Sequence, residues 1–169
     1  REMDFREEHL DIGGSGEAVI FRASKRAVTI IDLDFDKEIK DKRANCITMD
    51  ACDMEFENGR FQTVTSFYTL MYMGDSDVRN AFRECYRVLE DGGDFYIWDL
   101  CSEIEGQLLI VPITVKYKKT SRNLSFASNE ITKMRDREYY VVLLKEIGFE
   151  VILDRVEGES VFLHAVKRG

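Results

Sequence analysis

The stretch HLDIGGSGEA (residues 9–18) decides how this chain is expected to fold. A short apolar segment ends at Ile12, and a glycine-rich turn follows directly, before residues of helical character. In an open parallel sheet, ligands bind beyond the carboxyl ends of the strands, and the first such turn holds the cofactor. Glycines there let the backbone adopt positive φ and approach a ligand closely. The stretch therefore predicts a nucleoside-binding turn, and an unspecialised tight turn is the alternative.

Two further predicted strand ends carry an acidic residue. VTIIDLD (residues 28–34) contains Asp32, 21 positions after Asp11, where a carboxylate can accept hydrogen bonds from both ribose hydroxyls. CITMDACD (residues 46–53) reaches Asp50 in the same way. Each position has a competing carboxylate nearby, namely Asp34 and Asp53.

The charge of the first turn distinguishes between two kinds of nucleoside cofactor. A dinucleotide would bring a doubly anionic pyrophosphate to this turn, where Asp11 stands immediately before the glycines. A cofactor with an ammonium and a sulfonium would be attracted instead, because opposite charges close together in a sheltered site attract each other. Asp11 therefore favours a positively charged nucleoside.

Periodicity and turn residues predict a chain that alternates strands and helices and then closes with a helix and a hairpin. Strands are expected at residues 9–12, 27–31, 46–49, 61–67 and 95–100. Helices are expected at residues 18–24, 35–42 and 75–89, the last of them ended by Gly92 and Gly93. After residue 100 we expect two strands around a basic turn, then a helix stopped by Gly148, then two final strands: 108–117, 124–127, 138–147, 149–156 and 161–166.

Length and composition indicate one domain over residues 1–169. A chain of 169 residues can hide about 70% of its unfolded surface. The net charge of -8 argues against nucleic acid as a partner, because phosphate binding requires clustered Lys and Arg. Without a membrane-length apolar run or a secretory leader, we expect a cytoplasmic protein and no membrane partner. The four cysteines are expected to be reduced thiols in or near the core, and no residue cluster has metal-ligand spacing.

Four segments together resemble the class I S-adenosylmethionine-dependent methyltransferases, and most of all the small-molecule branch typified by the quinone-biosynthesis enzymes. They are LDIGGSG (10–16), IDLD (31–34), MDACDMEFENGRFQTVTS (49–66) and ECYRVLEDGGDFYIWD (84–99). The resemblance implies an α/β fold: a Rossmann-like, doubly wound sheet of about seven strands. That sheet would be mostly parallel, with an antiparallel C-terminal strand and a small antiparallel insertion. It also implies transfer of a methyl group from S-adenosyl-L-methionine to a small-molecule acceptor by in-line displacement.

The resemblance assigns residues to the cofactor wherever this sequence matches the family's motifs. The expected cofactor-binding residues lie in the first turn and at the following strand ends: Asp11, Gly13, Gly14, Ser15, Gly16, Asp32, Leu33, Asp50, Ala51, Ser66 and Phe67. The first turn would cradle the methionine moiety and Asp32 would hold the ribose. Asp50 and Ala51 would contact the adenine, while Ser66 and Phe67 would line the pocket near the sulfonium.

Several features depart from the family's pattern. The glycine loop is one residue shorter, only 18 positions separate Asp32 from Asp50, and Gln62 stands where the family commonly has an acid. Only eight residues precede His9, so we expect no covering helices ahead of the first strand in this stretch. A second interpretation therefore stays open, in which a methyltransferase-like domain binds a cofactor or a partner protein without turnover.

The family has no universal catalytic residue, because the cofactor already holds an activated leaving group. Tyr68 is our candidate for a group that faces the acceptor, with Tyr72 nearby, and simple packing is the alternative for both. Trp98 and Asp99 end the fifth strand at the same rim, where the acid either orients an acceptor or caps the next turn. A basic turn in the insertion either attracts an anionic substrate or is a solvated hairpin tip: Lys116, Lys118, Lys119 and Arg122. The inserted hairpin is also a candidate contact for a homodimer.

Overall fold

Nine strands and three helices follow one another along the chain in the computed structural model, which describes residues 5–35, 39–101, 109–117, 120–128 and 135–169. The strands are β1 (His9–Ile12), β2 (Val28–Asp32), β3 (Ala44–Thr48), β4 (Phe61–Phe67), β5 (Leu89–Leu100), β6 (Leu109–Tyr117), β7 (Thr120–Ser128), β8 (Phe149–Glu157) and β9 (Ser160–Lys167). The helices are α1 (Val19–Ala23), α2 (Asp75–Val88) and α3 (Arg137–Ile147), and a short 3-10 turn spans Leu70–Tyr72.

Seven of these strands form one sheet in the order β3-β2-β1-β4-β5-β9-β8, and β6 pairs with β7 in a separate hairpin. β1 pairs in parallel with both β2 and β4, and β4 pairs in parallel with β5. β9 runs antiparallel to both of its neighbours. The predicted fold class is confirmed: a mostly parallel, Rossmann-like sheet with one reversed C-terminal strand and a small antiparallel insertion.

Helices cover both faces of the sheet because its strands alternate apolar side chains between the two faces. α2 packs one stripe of buried residues against the main core, and α3 adds a second: Val78, Ala81, Phe82, Cys85, Val88, Tyr140, Leu143 and Leu144. On β2, Ile31 faces this core, whereas Ile30 faces the smaller cluster that α1 covers through Phe21. The sheet is therefore wound on both sides, which places strand-to-helix turns at the carboxyl ends of β1 and β4.

Two expected features differ in the structure. Gly92 and Gly93 do not end α2; the helix stops at Val88, and Leu89 is already extended and paired with Phe61. The glycines instead lie where the pairing of β4 with β5 shifts register, and Gly92 has a φ of +77°, a conformation that glycine adopts at little cost.

The helix expected at residues 35–42 is also wrong for the described part of that range, since residues 35 and 39–42 are not helical; residues 36–38 lie outside the described residues. Asp34 accepts a hydrogen bond from the Phe35 amide at 2.8 Å, and Asp41 accepts one from the Arg43 amide at 3.0 Å. Such local side-chain bonds to the backbone compete with a helix.

The cysteines are all free thiols, but they are not uniformly in the core. Cys85 is buried, Cys52 and Cys101 are half-buried, and Cys46 is exposed because β3 is an edge strand. Within the described ranges, none of the helices has the combination of length and apolar character that a membrane crossing needs.

Candidate active site

A cleft of about 520 Å³ opens at the carboxyl ends of β1, β2, β3 and β4. Most residues predicted to bind the cofactor line it: Asp11, Gly13, Gly14, Ser15, Gly16, Asp32, Leu33, Asp50, Ala51 and Phe67. Tyr68, the predicted catalytic residue, lines it as well. The sheet topology explains this convergence, because adjacent parallel strands end at the same edge.

Two glycines of the first turn have no space for a side chain, and one of them also has a positive φ. Gly13 has a φ of +70° and its amide donates to the Ile31 carbonyl at 2.8 Å. A Cβ at Gly13 would lie 2.1 Å from Cγ2 of Thr69, and a Cβ at Gly14 would lie 2.4 Å from Oδ2 of Asp11. The turn is therefore pressed against β2 and the segment after β4.

Asp11 lies beneath this turn and is 1% exposed. The Thr65 hydroxyl donates to Asp11 Oδ1 at 2.7 Å, and His9 Nε2 lies 3.0 Å from the same hydroxyl oxygen. The pKa of the Asp11 carboxyl is raised to about 7, mainly by burial; the Thr65 hydrogen bond lowers it, and the nearby charge of Asp32 adds a smaller increase. Burial lowers the pKa of His9 to about 3, so its ring is neutral.

Asp32, and not its competitor Asp34, is the β2 carboxylate that reaches the cleft. Its Oδ2 accepts a hydrogen bond from the Ser15 amide at 3.1 Å, which ties the first turn to the end of β2. The Asp34 side chain is exposed and accepts from the amide of the next residue, Phe35. Of these two carboxylates, Asp32 lines the cleft and Asp34 does not.

Asp50 reaches the same cleft from the segment after β3, with Ala51 beside it. Its Oδ1 accepts a hydrogen bond from the Cys52 amide at 2.8 Å, which fixes the carboxylate at the start of this segment. Asp53, the competing carboxylate, is exposed and does not line the cleft. The structure thus selects Asp50 at the second ambiguous position.

Ser66 is the one predicted cofactor residue that does not line the cleft. It is fully buried in β4, and its hydroxyl has no hydrogen-bond partner among the described residues. Side chains alternate along a strand, so Phe67 points to the cleft while Ser66 points into the core on the other face. The structure places Ser66 beneath the site instead of on its wall.

Tyr68 stands at the end of β4 in an uncommon conformation, with a φ of +52°. Ala18, just before α1, has a φ of +48°, and these are the two positive-φ residues other than glycine in the described chain. Both line the cleft, and strained backbone of this kind clusters at ligand sites.

The Tyr68 side chain joins the rest of the site to the inserted hairpin and to β9. Its ring stacks on Phe126 of β7 at 4.7 Å, and its hydroxyl lies 2.5 Å from the Ser160 hydroxyl. Burial raises the pKa of the Tyr68 phenol, so it is uncharged at neutral pH and exchanges hydrogen bonds without acting as a phenolate base.

Asp99 caps the 3-10 turn that follows β4, whereas the sequence predicts either contact with an acceptor or a cap on the turn after its own strand. It is fully buried, its Oδ2 accepts from the Leu70 amide at 2.8 Å, and its Oδ1 accepts from the Leu100 amide at 2.7 Å. Burial raises the pKa of Asp99 to about 7. The carboxyl therefore fixes the start of the 3-10 turn after β4.

Sequence reasoning missed several residues that line the cleft: Glu17, Met49, Thr69 and Phe126. Thr69 donates to the Ile12 carbonyl at 3.2 Å and so holds the glycine turn from the opposite side. Phe126 comes from the hairpin, which is also tied to the first turn by an ion pair of 3.0 Å between Arg122 and Glu17. Lys118 and Lys119 of the predicted basic turn lie outside the described residues.

A second cleft of about 740 Å³ adjoins the first. Four residues line both: Val19, Ile20, Phe67 and Tyr68. The second cleft extends from α1 over the ends of β4, β5 and β9 to the β8–β9 turn, with β6 on its other side. The site therefore has two adjoining compartments with Phe67 and Tyr68 between them.

Comparison with known families places residues 10–97 in the family described as "Methyltransferase domain". The match covers more than half of the chain, and the chain belongs to this family. Together with the sheet order it identifies the protein as a class I S-adenosylmethionine-dependent methyltransferase, as the sequence predicts. A comparison with curated protein sequences found no match.

Solved structures show the same fold at low sequence identity. A SAM-dependent methyltransferase from Methanosarcina mazei is 17% identical with a TM-score of 0.70, over 99% of this chain and 95% of that one. The glycopeptide N-methyltransferase MtfA in complex with S-adenosyl-L-methionine is 16% identical with a TM-score of 0.69, over 98% and 89%. The [4+2]-cyclase SpnF is 15% identical with a TM-score of 0.71, over 98% and 77%.

Proposed function

We propose that this protein binds S-adenosyl-L-methionine in the cleft beyond β1–β4 and transfers its methyl group to a small-molecule acceptor in the adjoining cleft. The observation that carries the proposal is the set of three carboxylates at the ends of three adjacent strands: Asp11, Asp32 and Asp50. The chain's resemblance to the quinone-biosynthesis branch supports a small acceptor, and membership of that branch is part of the proposal.

The charge of the cleft supports a cationic nucleoside. Among the described residues its wall contains four acidic side chains and no Lys, Arg or His: Asp11, Glu17, Asp32 and Asp50. The pyrophosphate of a dinucleotide would lie beside carboxyl groups with no basic residue in the described wall, whereas an ammonium and a sulfonium would be attracted to them. The donors and acceptors present therefore fit S-adenosyl-L-methionine better than NAD or NADP.

Each carboxylate has a distinct part in this proposal. Asp32 accepts hydrogen bonds from the ribose hydroxyls, in addition to the Ser15 amide that it already holds. Asp50 faces the adenine edge with its second oxygen. Asp11 lies too deep to enclose the ligand, so it acts through its charge on the methionine ammonium above the glycine turn.

When bound, the cofactor supplies a methyl group on a sulfonium, which is already an activated leaving group. The protein's part is to align the acceptor atom with that methyl and to exclude water. Phe67 and Phe126 form apolar walls at the junction of the two clefts. The Tyr68 hydroxyl, together with Ser160, can hydrogen-bond the acceptor heteroatom and hold it in line.

A second candidate function is cofactor or partner binding without methyl transfer. The [4+2]-cyclase SpnF has the same fold, so the fold alone does not decide the reaction. The shortened glycine loop favours this alternative, because Asp11 directly before the glycines is only 1% exposed.

Calorimetric titration with S-adenosyl-L-methionine, S-adenosylhomocysteine, NAD and NADP tests the proposal. We expect saturable binding of the first two and none of the dinucleotides. Transfer of labelled methyl to a panel of small phenols, amines and thiols then tests turnover. Binding of a dinucleotide but not of S-adenosylhomocysteine would contradict the cofactor, and binding without any transfer would favour the second candidate.

A further inference from the structure

The wall of the first cleft lacks a positive partner for one group of the proposed cofactor. Besides the ammonium and the sulfonium, S-adenosyl-L-methionine carries an α-carboxylate. Among the described residues the wall contains four acidic side chains and no Lys, Arg or His, and α1, the helix that begins after the glycine turn, has only five residues. A carboxylate beside other carboxylates is disfavoured unless a cation is near. The α-carboxylate therefore requires a cation from outside this wall.

Arg122 of the inserted hairpin brings a cation to the edge of this wall. Its Nη1 donates to Oε2 of Glu17 at 3.0 Å. Glu17 lines the first cleft and directly follows Gly16, the last glycine of the turn assigned to the methionine moiety. The two side chains are 44% and 41% exposed, and an ion pair this exposed contributes little to stability. The guanidinium can therefore leave Glu17 for another anion at small cost.

The position of the hairpin favours an anion in the first cleft over one in the second. Arg122, Leu124 and Phe126 alternate along β7 and so share one face of that strand. Phe126 lines the first cleft and stacks on Tyr68 at 4.7 Å, and Leu124 is half-buried. Glu17, which Arg122 contacts, does not line the second cleft. Arg122 therefore lies at the end of the first cleft that is assigned to the methionine moiety.

We infer that Arg122 binds the α-carboxylate of S-adenosyl-L-methionine, and that it exchanges Glu17 for this carboxylate when the first cleft is filled. The inference rests on the proposed function, which places the methionine moiety above the glycine turn. A guanidinium presents a fork of N–H donors that matches the two oxygens of a carboxylate. Arg122 lies outside residues 10–97, which match the methyltransferase family, so the family match assigns it no role.

Two ligands that differ by one group isolate this contact. S-adenosyl-L-methionine and its decarboxylated form share the nucleoside, the sulfonium and the ammonium, and only the former has the carboxylate. Both are titrated calorimetrically into wild type, Arg122→Ala and Arg122→Gln, the last of which keeps most of the side-chain length. We expect both variants to bind S-adenosyl-L-methionine about fivefold or more weakly than the wild type, because hydrogen bonds between charged groups in the cleft outweigh the exposed ion pair that is given up. Affinity for the decarboxylated ligand should not fall.

Glu17→Gln separates direct binding by Arg122 from an effect of the ion pair on the shape of the turn. This variant breaks the pair and keeps Arg122, and both ligands carry the ammonium, so it should change the two affinities by the same factor. Arg79→Ala is the matched control, because Arg79 on α2 is also 44% exposed, pairs with Glu146 at 2.9 Å and lines neither cleft. It should leave both affinities unchanged.

Three results would overturn the inference. They are unchanged affinity for S-adenosyl-L-methionine in both Arg122 variants, an equal loss of affinity for the two ligands in those variants, and a selective loss of S-adenosyl-L-methionine binding in Glu17→Gln. In each of these cases the wild type still binds S-adenosyl-L-methionine, so the proposed cofactor stands. If the wild type binds neither ligand, the proposed function itself fails.

Discussion

At the scale of single residues, the most unusual group is the Asp11 carboxyl. It is almost fully buried and accepts one hydrogen bond from Thr65, which in turn contacts the neutral His9. With a pKa raised to about 7 by burial, the carboxyl is only partly ionised at neutral pH. A cation above the glycine turn would favour its ionised form. Cofactor binding and proton release are therefore expected to be coupled.

Affinity for S-adenosyl-L-methionine should rise with pH across the raised pKa of Asp11, about 7. Below that pH a proton must leave before the charge is available, so the association constant should fall by up to about tenfold per pH unit. Asp11→Asn should bind more weakly and lose this part of the pH dependence. Calorimetry between pH 6 and 8, in buffers of different ionisation enthalpy, measures both effects.

Asp99→Asn is the matched control, since Asp99 is equally buried with a pKa raised to about 7 but lines neither cleft. It should keep the pH dependence of cofactor affinity. An Asp11→Asn variant with the wild-type pH profile would show that Asp11 does not sense the ligand.

At the scale of elements, the turn between β1 and α1 is held from two sides. The Gly13 amide bonds to β2 and Thr69 fills the space against the turn. α1 itself has five residues and no side-chain cap. The shape of this loop therefore depends on its glycines and on the segment after β4, more than on the helix that follows.

Gly13→Ala should destabilise the fold by about 1–3 kcal/mol, because an L-residue would be held at positive φ, and because its Cβ would lie 2.1 Å from Thr69. Cofactor affinity should fall as well. Gly16→Ala is the control, since a Cβ there meets nothing within 4 Å. Urea unfolding of both variants measures the difference, and equal stabilities would contradict the described loop.

A further prediction concerns the N-terminal cap of helix α3, which packs on the face of the sheet opposite α1. The Asp136 side chain accepts from the Tyr139 amide at 2.8 Å and caps the helix. Asp136→Ala should lower the free energy of unfolding by about 1 kcal/mol, without changing cofactor affinity. Glu138→Ala, in the exposed first turn, should have a smaller effect; the reverse order in thermal unfolding would argue against this cap.

Much of the fold and of the first cleft could be predicted, because the sequence patterns that indicate them each span only a few neighbouring residues. The glycine turn and the acids at the ends of β2 and β3 are read directly from their neighbours in sequence, and they converge because parallel strands end at one edge. The sequence favours Asp32 over Asp34 at the end of β2, and the structure places Asp32 on the cleft and Asp34 outside it. Phe126 could not be found, since a hairpin's docking position depends on tertiary packing. Ser66 does not line the cleft, because it is next to the lining residue Phe67 on β4 and neighbouring residues of a strand point to opposite faces.

At the scale of the whole molecule, the buried titratable groups have opposite effects on how the free energy of unfolding changes with pH. The raised pKa values of Asp11 and Asp99, about 7 against 3.8, contribute stability at low pH that is lost as the pH rises through 7. The lowered pKa of His9, about 3 against 6.5, contributes stability above 6.5 that is lost as the pH falls. As the pH rises, Asp11 and Asp99 reduce stability and His9 alone increases it. The free energy of unfolding should therefore fall from mildly acid to neutral pH.

Asp99→Asn should remove part of that loss. Replacing one titrating group changes the slope of unfolding free energy against pH by up to about 1.4 kcal/mol per unit. Urea unfolding of wild type and variant at a series of pH values between 4 and 7.5 measures the two slopes. A variant as pH-sensitive as the wild type would mean that Asp99 titrates normally in the folded protein.

The most direct measurement is the calorimetric titration of S-adenosyl-L-methionine into wild type, Asp32→Ala and Asp34→Ala. Asp32 lines the cleft and Asp34, two positions later, does not. Hydrogen bonds to a charged group are worth about 1.5–3 kcal/mol, so Asp32→Ala should weaken binding about tenfold or more. Asp34→Ala should bind as the wild type does. Unchanged affinity in Asp32→Ala, or an equal loss in both variants, would contradict a carboxylate cradle for the nucleoside.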